Sequence, residues 1–175
     1  MPNYVKNVLT FKNVSLLEDI DFIVNTITDG SEGDASRYRI DFNKIIPEPR
    51  TEEECPDEYK VNKDSHVVPY EGKPWFDWYK WRKEFWDTKW NACDCYSILG
   101  DNTLTLVFST AWSYPEKVIK RLRLLGYDFE LKYADEDYGS NCGIIQYHAK
   151  EDIFVIDVTS ISNPGKFAEE IWDTY

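Results

Sequence analysis

Basic residues are scarce in this chain: 20 Lys and Arg stand against 32 Asp and Glu, giving a net charge of −12 at pH 7. Duplex nucleic acid is normally held by a stripe of cations, so the bulk charge argues against a duplex-binding role. It suits solubility or a basic partner surface instead. Long apolar runs are also missing. None approaches the roughly 20 residues that span a bilayer, and Met1-Pro2-Asn3-Tyr4 leads into a strand-like run without a basic, then apolar, leader. The sequence therefore predicts no membrane partner and a cytoplasmic location. Cysteine is limited to Cys55, Cys93, Cys95 and Cys142, which a reducing compartment keeps as thiols. Cys93-x-Cys95 would put both thiols on one side of a strand, a spacing unlike a zinc knuckle, so buried free thiols are expected. The two histidines, His66 and His148, have no nucleophile motif beside them. No Walker A or dinucleotide glycine pattern occurs. Neither a catalytic set nor a cofactor is predicted.

What the chain has in excess is aromatic residues: seven Trp, twelve Tyr and nine Phe. Large rings bury much area each, so they imply a ring-rich core or an adhesive surface. Tyr4 to Phe11 is rich in β-formers and reads as a first strand. Ser15 and Glu18 form a capping box before Leu16, Ile20, Ile23 and Ile27, which recur at helical spacing. Arg37 to Ile46 reads as a second strand closed by Pro47 and Pro49, and Arg50 to Pro74 as a polar insert.

Trp75 to Asp87 returns to helical periodicity. Trp75, Trp78, Tyr79, Trp81, Phe85 and Trp86 fall on about half the circumference, with Arg82 inside that stripe, where a guanidinium can stack on a ring. Ala92 to Leu99 and Thr103 to Phe108 flank the turn Gly100-Asp101-Asn102 and predict a hairpin. Ser113, Pro115 and Glu116 signal the start of another helix, with Lys117, Lys120, Arg121 and Arg123 on its outer side and Gly126 at its end. Phe129, Leu131 and Tyr133 alternate as a strand. Gly143 to Ala149 and Asp152 to Val158 make a further hairpin, and Asn163-Pro164 opens a last helix.

The pattern predicts an α+β domain of the split βαβ kind, with helices covering one face of an antiparallel sheet. The whole chain, 1–175, reads as one domain with an insert at 50–91 that holds the polar loop and Trp-rich helix, plus an extra C-terminal hairpin and helix.

Five stretches carry a family resemblance: 1–7 (MPNYVKN), 41–47 (DFNKIIP), 86–92 (WDTKWNA), 108–115 (FSTAWSYP) and 133–141 (YADEDYGSN). With them the chain resembles the YubB-type and Api-like proteins of phages, plasmids and pathogenicity islands. Tyr4 stands where that pattern expects Trp, and residues 50–74 fall outside it. The resemblance implies a ferredoxin-like domain in a mobile-element setting and no established reaction.

Two groups of residues are candidates for binding. One is Lys89, Trp90 and Asn91 with Asp135, Glu136, Asp137 and Asn141, all placed in loops or at strand ends, where sites concentrate. The carboxylates with Asn141 suit a hard cation or polar ligand; alternatively 135–139 is a solvated turn on which 88–91 docks. No EF-hand spacing is present, and no metal is predicted. The other group is the aromatic helix, with Trp78, Trp81 and Arg82, which suits a protein interface or base stacking on a single strand. The leading expectation is a non-enzymatic accessory protein that binds a host protein, with inhibition of a defence or DNA-handling system as one version. A small-ligand or metal site at Asp135–Asp137 and single-strand binding are the alternatives. Oligomeric state is not legible.

Overall fold

The computed structural model describes residues 3–14, 17–29, 38–63, 65, 67–68, 72–139, 141–157 and 161–175. Its organising element is β1 (Tyr4–Lys12), where alternation places Val5, Leu9 and Phe11 on one face and Val8 on the other. With both faces covered, β1 can sit mid-sheet. It pairs antiparallel with β3 (Thr103–Ala111) on one side and β4 (Phe129–Asp135) on the other. β2 (Cys93–Leu99) flanks β3, and β5 (Cys142–His148) and β6 (Ile153–Asp157) extend the sheet beyond β4, giving the order β2-β3-β1-β4-β5-β6. The run β4-β1-β3-β2 is the split βαβ arrangement. The fold is α+β and ferredoxin-like, with β5 and β6 as the added hairpin.

One expected strand is corrected. Within 37–46, Phe42–Ile45 is a short helix, α2, and Ile40 makes only an isolated bridge to Thr28. Asp41 decides this locally: its carboxylate accepts from Asn43 N at 2.9 Å and caps the turn, an Asx preference that outweighs the β-propensity of the Ile pair. The second strand of the split unit is therefore β2. Among the described residues the crossover between β1 and β2 carries α1 (Leu17–Ile27), α2, a 3-10 turn at Asp57–Tyr59 and α3 (Trp78–Phe85). The Ser15 end of the predicted capping box lies outside the described residues. α4 (Glu116–Arg121) starts differently from expectation. Ser113 Oγ donates to Asp87 O, while the Asp87 carboxylate accepts from Lys117 N at 2.9 Å.

The main core lies between one sheet face and α1 to α4. Phe42 packs edge-on against both Trp86 and Phe108, with centroids 5.7 and 5.8 Å away. The extra helix α5 (Pro164–Thr174) covers part of the opposite face, setting Ala168 and Ile171 against Val8, Val107, Ala134 and Cys142. Asn163 caps it at Lys166 N.

The predicted one-sided Cys pair is also corrected. Cys93 lies opposite Ser109 but Tyr96 opposite Val107, so β2 carries one extra residue there. That bulge, with Asp94 at φ +50°, turns Cys95 toward the main core and leaves Cys93 on the other face. All four cysteines are free. Burial pushes the Cys93 and Cys95 thiols up to about 11 and about 12, which keeps them protonated and poorly nucleophilic near neutrality.

On the open part of the α5 face, Glu130 accepts from Lys12 at 3.2 Å and Gln146 at 2.7 Å, with Lys132 3.7 Å away. Burial pushes its carboxyl up, but those hydrogen bonds and cations outweigh it and hold the group below the ordinary glutamate value of 4.5. A depressed folded-state pKa contributes stability above the unfolded value and loses it as pH falls through the folded one. Glu130→Gln is thus expected to cost stability at neutral pH and to lose that difference below about pH 4, as followed by urea melts across pH.

Candidate functional site

The aromatic helix divides its rings between core and surface. Trp81 is buried, stacked on Phe85 at 4.8 Å and edge-on to Trp86 at 5.5 Å. Arg82 is buried too: its Nε lies 2.5 Å from Glu48 Oε1, and its guanidinium sits over Trp78 and Trp86 at 5.1 and 5.0 Å. The stacking expected of Arg82 is present, but Trp81 and Arg82 are corrected from contact residues to core residues. Helical geometry is the cause, since positions 81, 82, 85 and 86 face the packed interior beside Glu48, Tyr59 and Phe76 while 79, 80 and 83 turn outward. Asp77 starts the helix by accepting from Lys80 N at 3.1 Å.

The outward side borders a groove of about 610 Å³ lined by Trp78, Tyr79, Lys80, Lys89 and Trp112, with Val67 and Val68 also in the lining. Trp78 Nε1 donates to Val68 O at 3.1 Å. Tyr79 and Trp112 meet edge-on at 6.4 Å, and Lys83 Nζ lies over both rings, 5.4 and 5.6 Å from their centroids. The groove thus has three rings, with Lys80 and Lys89 and one carboxylate, Asp77, also in its lining and Lys83 over two of the rings.

Trp112 is the residue that sequence reasoning missed. It follows β3 with φ +68°, a left-handed conformation that costs a bulky residue about 1–2 kcal/mol. The residue is 40% exposed. Strain of this kind persists only where the surroundings enforce it. Here Trp112 N donates to Asn3 O at 2.9 Å, and Asn141 Nδ2 donates to Trp112 O at 2.8 Å. The only sequence signal was its place in the stretch 108–115; nothing in Ala111-Trp112-Ser113 announces a positive φ.

The acidic cluster turns out to be the support for this ring. Asp135, buried at the end of β4, accepts from Asn141 Nδ2 at 3.0 Å, from Asp137 N at 2.9 Å and from Asn3 Nδ2 at 3.4 Å. Glu136 accepts from Tyr4 N at 2.9 Å, and Asp137 accepts from Asn3 Nδ2. The three carboxylates are thus bonded to donors of the chain itself, Asp135 and Asp137 sharing Asn3 Nδ2. Among the described residues no three His, Cys, Asp or Glu side chains converge as metal ligands.

Trp90 is linked to this loop through Tyr4, whose N–H donates to Glu136. Trp90 packs on Tyr4, centroids 5.8 Å apart, with Lys89 Nζ over its outer side at 5.4 Å. Asn91 does not; it donates to Asp41 Oδ1 at 2.7 Å and accepts from Phe42 N at 2.9 Å, fixing α2. Thr88 bonds both N and O of Ala111. Segment 86–91 therefore docks on the end of β3 and on α2, not on the 135–139 turn expected from the sequence, and sets Lys89 into the groove. His66 lies outside the described residues, and His148 is exposed at the end of β5.

Because Asp135 orients Asn141, and Asn141 holds Trp112, Asp135→Asn places an amide donor against an amide donor. The expected cost is roughly 1–3 kcal/mol, with faster amide exchange at 135–141 and 112–113 than elsewhere in the sheet.

Comparison with known proteins gives one similarity. Residues 85–174 match the family model described as the ferredoxin-like domain in Api92-like protein. The match takes in β2 to β6, α4 and α5 and a little over half of the chain; the mid-sheet strand β1 precedes it. No curated protein and no solved structure matched the chain.

Proposed function

Since this chain belongs to the Api92-like family through its ferredoxin-like domain, we propose that it is a non-enzymatic binding module that grips a host protein through the Trp78–Tyr79–Trp112 groove. The observation that carries this reading is Trp112, a large ring held exposed on a strained backbone by a dedicated hydrogen-bond chain from Asp135 through Asn141. Tyr and Trp anchors dominate protein interfaces because they bring large rigid area at small entropic cost. The net charge of −12 adds steering toward a partner that is basic overall. A phage, plasmid or island setting, with a defence or DNA-handling protein as target, accords with that charge and with the family resemblance.

The test compares immobilised wild type with Trp112→Ala on lysate of the host. The expected outcome is a specific protein retained by wild type and lost, by ten-fold or more, with the variant, while thermal melts of the two agree closely. Equal retention by both, or retention of nothing by either, counts against the reading.

A second reading is favoured by the cations beside the rings. Lys80 and Lys89 line the groove and Lys83 lies over two of its rings, supplying the basic company that a stacking platform for single-stranded nucleic acid needs. It requires affinity for an oligonucleotide that falls steeply with salt; no binding at low salt removes it.

A further inference from the structure

The far end of the sheet has a second surface that the groove does not use. β6 is an edge strand, and among the described residues no strand pairs with its outer side. Soluble proteins usually guard such an edge with Lys, Pro or a bulge. β6 reads Ile153-Phe154-Val155-Ile156-Asp157, without any of these. Ile153, Val155 and Ile156 are 50%, 42% and 56% exposed.

The two faces of this edge differ chemically. Register with β5 places Ile153 and Val155 on the face that α5 partly covers, opposite His148 and Gln146, and places Phe154 and Ile156 on the main-core face, opposite Tyr147 and Ile145. On the core face, α4 and the turn after it stand beside the strand. There Lys117, Lys120, Arg121 and Arg123 surround a hollow of about 390 Å³ with Phe154 at its base. The carboxylates facing these cations are Glu116 on Lys120, Asp87 at 3.5 Å from Lys117 and Asp152 at 4.0 Å from Arg123. All three are solvent-accessible pairs, individually weak and open to exchange for another anion.

We propose that β6 is a docking edge for an extended segment of a partner protein in which acidic and apolar residues alternate. The segment adds as a seventh strand by backbone pairing, the β-augmentation mode. Period-two geometry sends its alternate side chains to opposite faces. The apolar set then covers Ile153 and Val155, and the acidic set enters the hollow above Phe154. The charge also rules against a second copy of this chain as occupant. Two β6 strands paired about a two-fold would bring both four-cation clusters to the same side of one continuous sheet, near the shared edge.

The test uses fluorescein-labelled Glu-Val-Glu-Val-Glu-Val-Glu peptide, with Lys-Val-Lys-Val-Lys-Val-Lys as control, titrated into the full chain by fluorescence anisotropy. The expected result is binding of the acidic peptide at least ten-fold tighter than the basic one. Arg121→Glu with Arg123→Glu should weaken it ten-fold or more, as should Val155→Lys. Trp112→Ala should leave it unchanged, which separates this edge from the groove. Amide-exchange protection appearing in β6 on binding would support strand addition. Equal binding of the two peptides, no binding of either, or affinity indifferent to Val155→Lys would overturn the proposal. So would sedimentation of the free protein as a dimer that Val155→Lys dissociates.

Discussion

Glu48→Gln is expected to destabilise the protein by roughly 3–5 kcal/mol, the cost of breaking a buried ion pair by removing one of its charges. Glu48 and Arg82 are 5% and 7% exposed and 2.5 Å apart, and Lys73 Nζ approaches the second carboxylate oxygen at 3.6 Å while donating to Pro49 O at 2.8 Å. Neutralising Glu48 takes the charge from beside a guanidinium packed over Trp78 and Trp86. The pair also joins the chain after α2 to the inner side of α3, so its loss should loosen the helix that presents Trp78 and Tyr79. Urea melts should show a lower midpoint at unchanged slope. Replacing both residues with Met should recover most of the loss, since apolar residues of similar volume often substitute for buried ion pairs. A loss below about 1 kcal/mol for the single variant would mean that the pair is hydrated.

Trp86→Ala should cost a similar amount, roughly 3–5 kcal/mol. Its ring is fully buried, packs edge-on against both Phe42 and Trp81, and donates from Nε1 to Ile46 O at 2.9 Å. The variant opens a cavity where α2, α3 and the sheet meet, and it leaves a carbonyl without its donor. Trp112→Ala should cost under about 1 kcal/mol, because removing a partly exposed ring forfeits little burial. Measured by thermal and urea melts, the contrast separates rings that hold the fold from rings that serve contact. If Trp112→Ala proves as damaging as Trp86→Ala, the exposed ring is structural and the groove loses its anchor.

The sequence by itself determined most of the sheet. The β-formers of β1, alternation in β3 and β4 and the turn at 100–102 identified strands because a period of two has no helical competitor there, and Asn163-Pro164 opened α5 because side-chain capping is local chemistry. It also showed a net charge no duplex binder would favour. Where a local preference ran against composition, the reading failed: one Asp cap made 42–45 a helix, and one extra residue turned Cys95 away from Cys93's face. Only the tertiary structure decided which rings are buried, since a helical stripe half a circumference wide does not say where the sheet ends. It also decided that the acidic loop spends its carboxylates on Asn3, Asn141 and backbone N–H groups in support of Trp112. Asp135, Asn141 and Trp112 are brought together by β4 and β3 lying on either side of β1, a neighbourhood that no local pattern encodes.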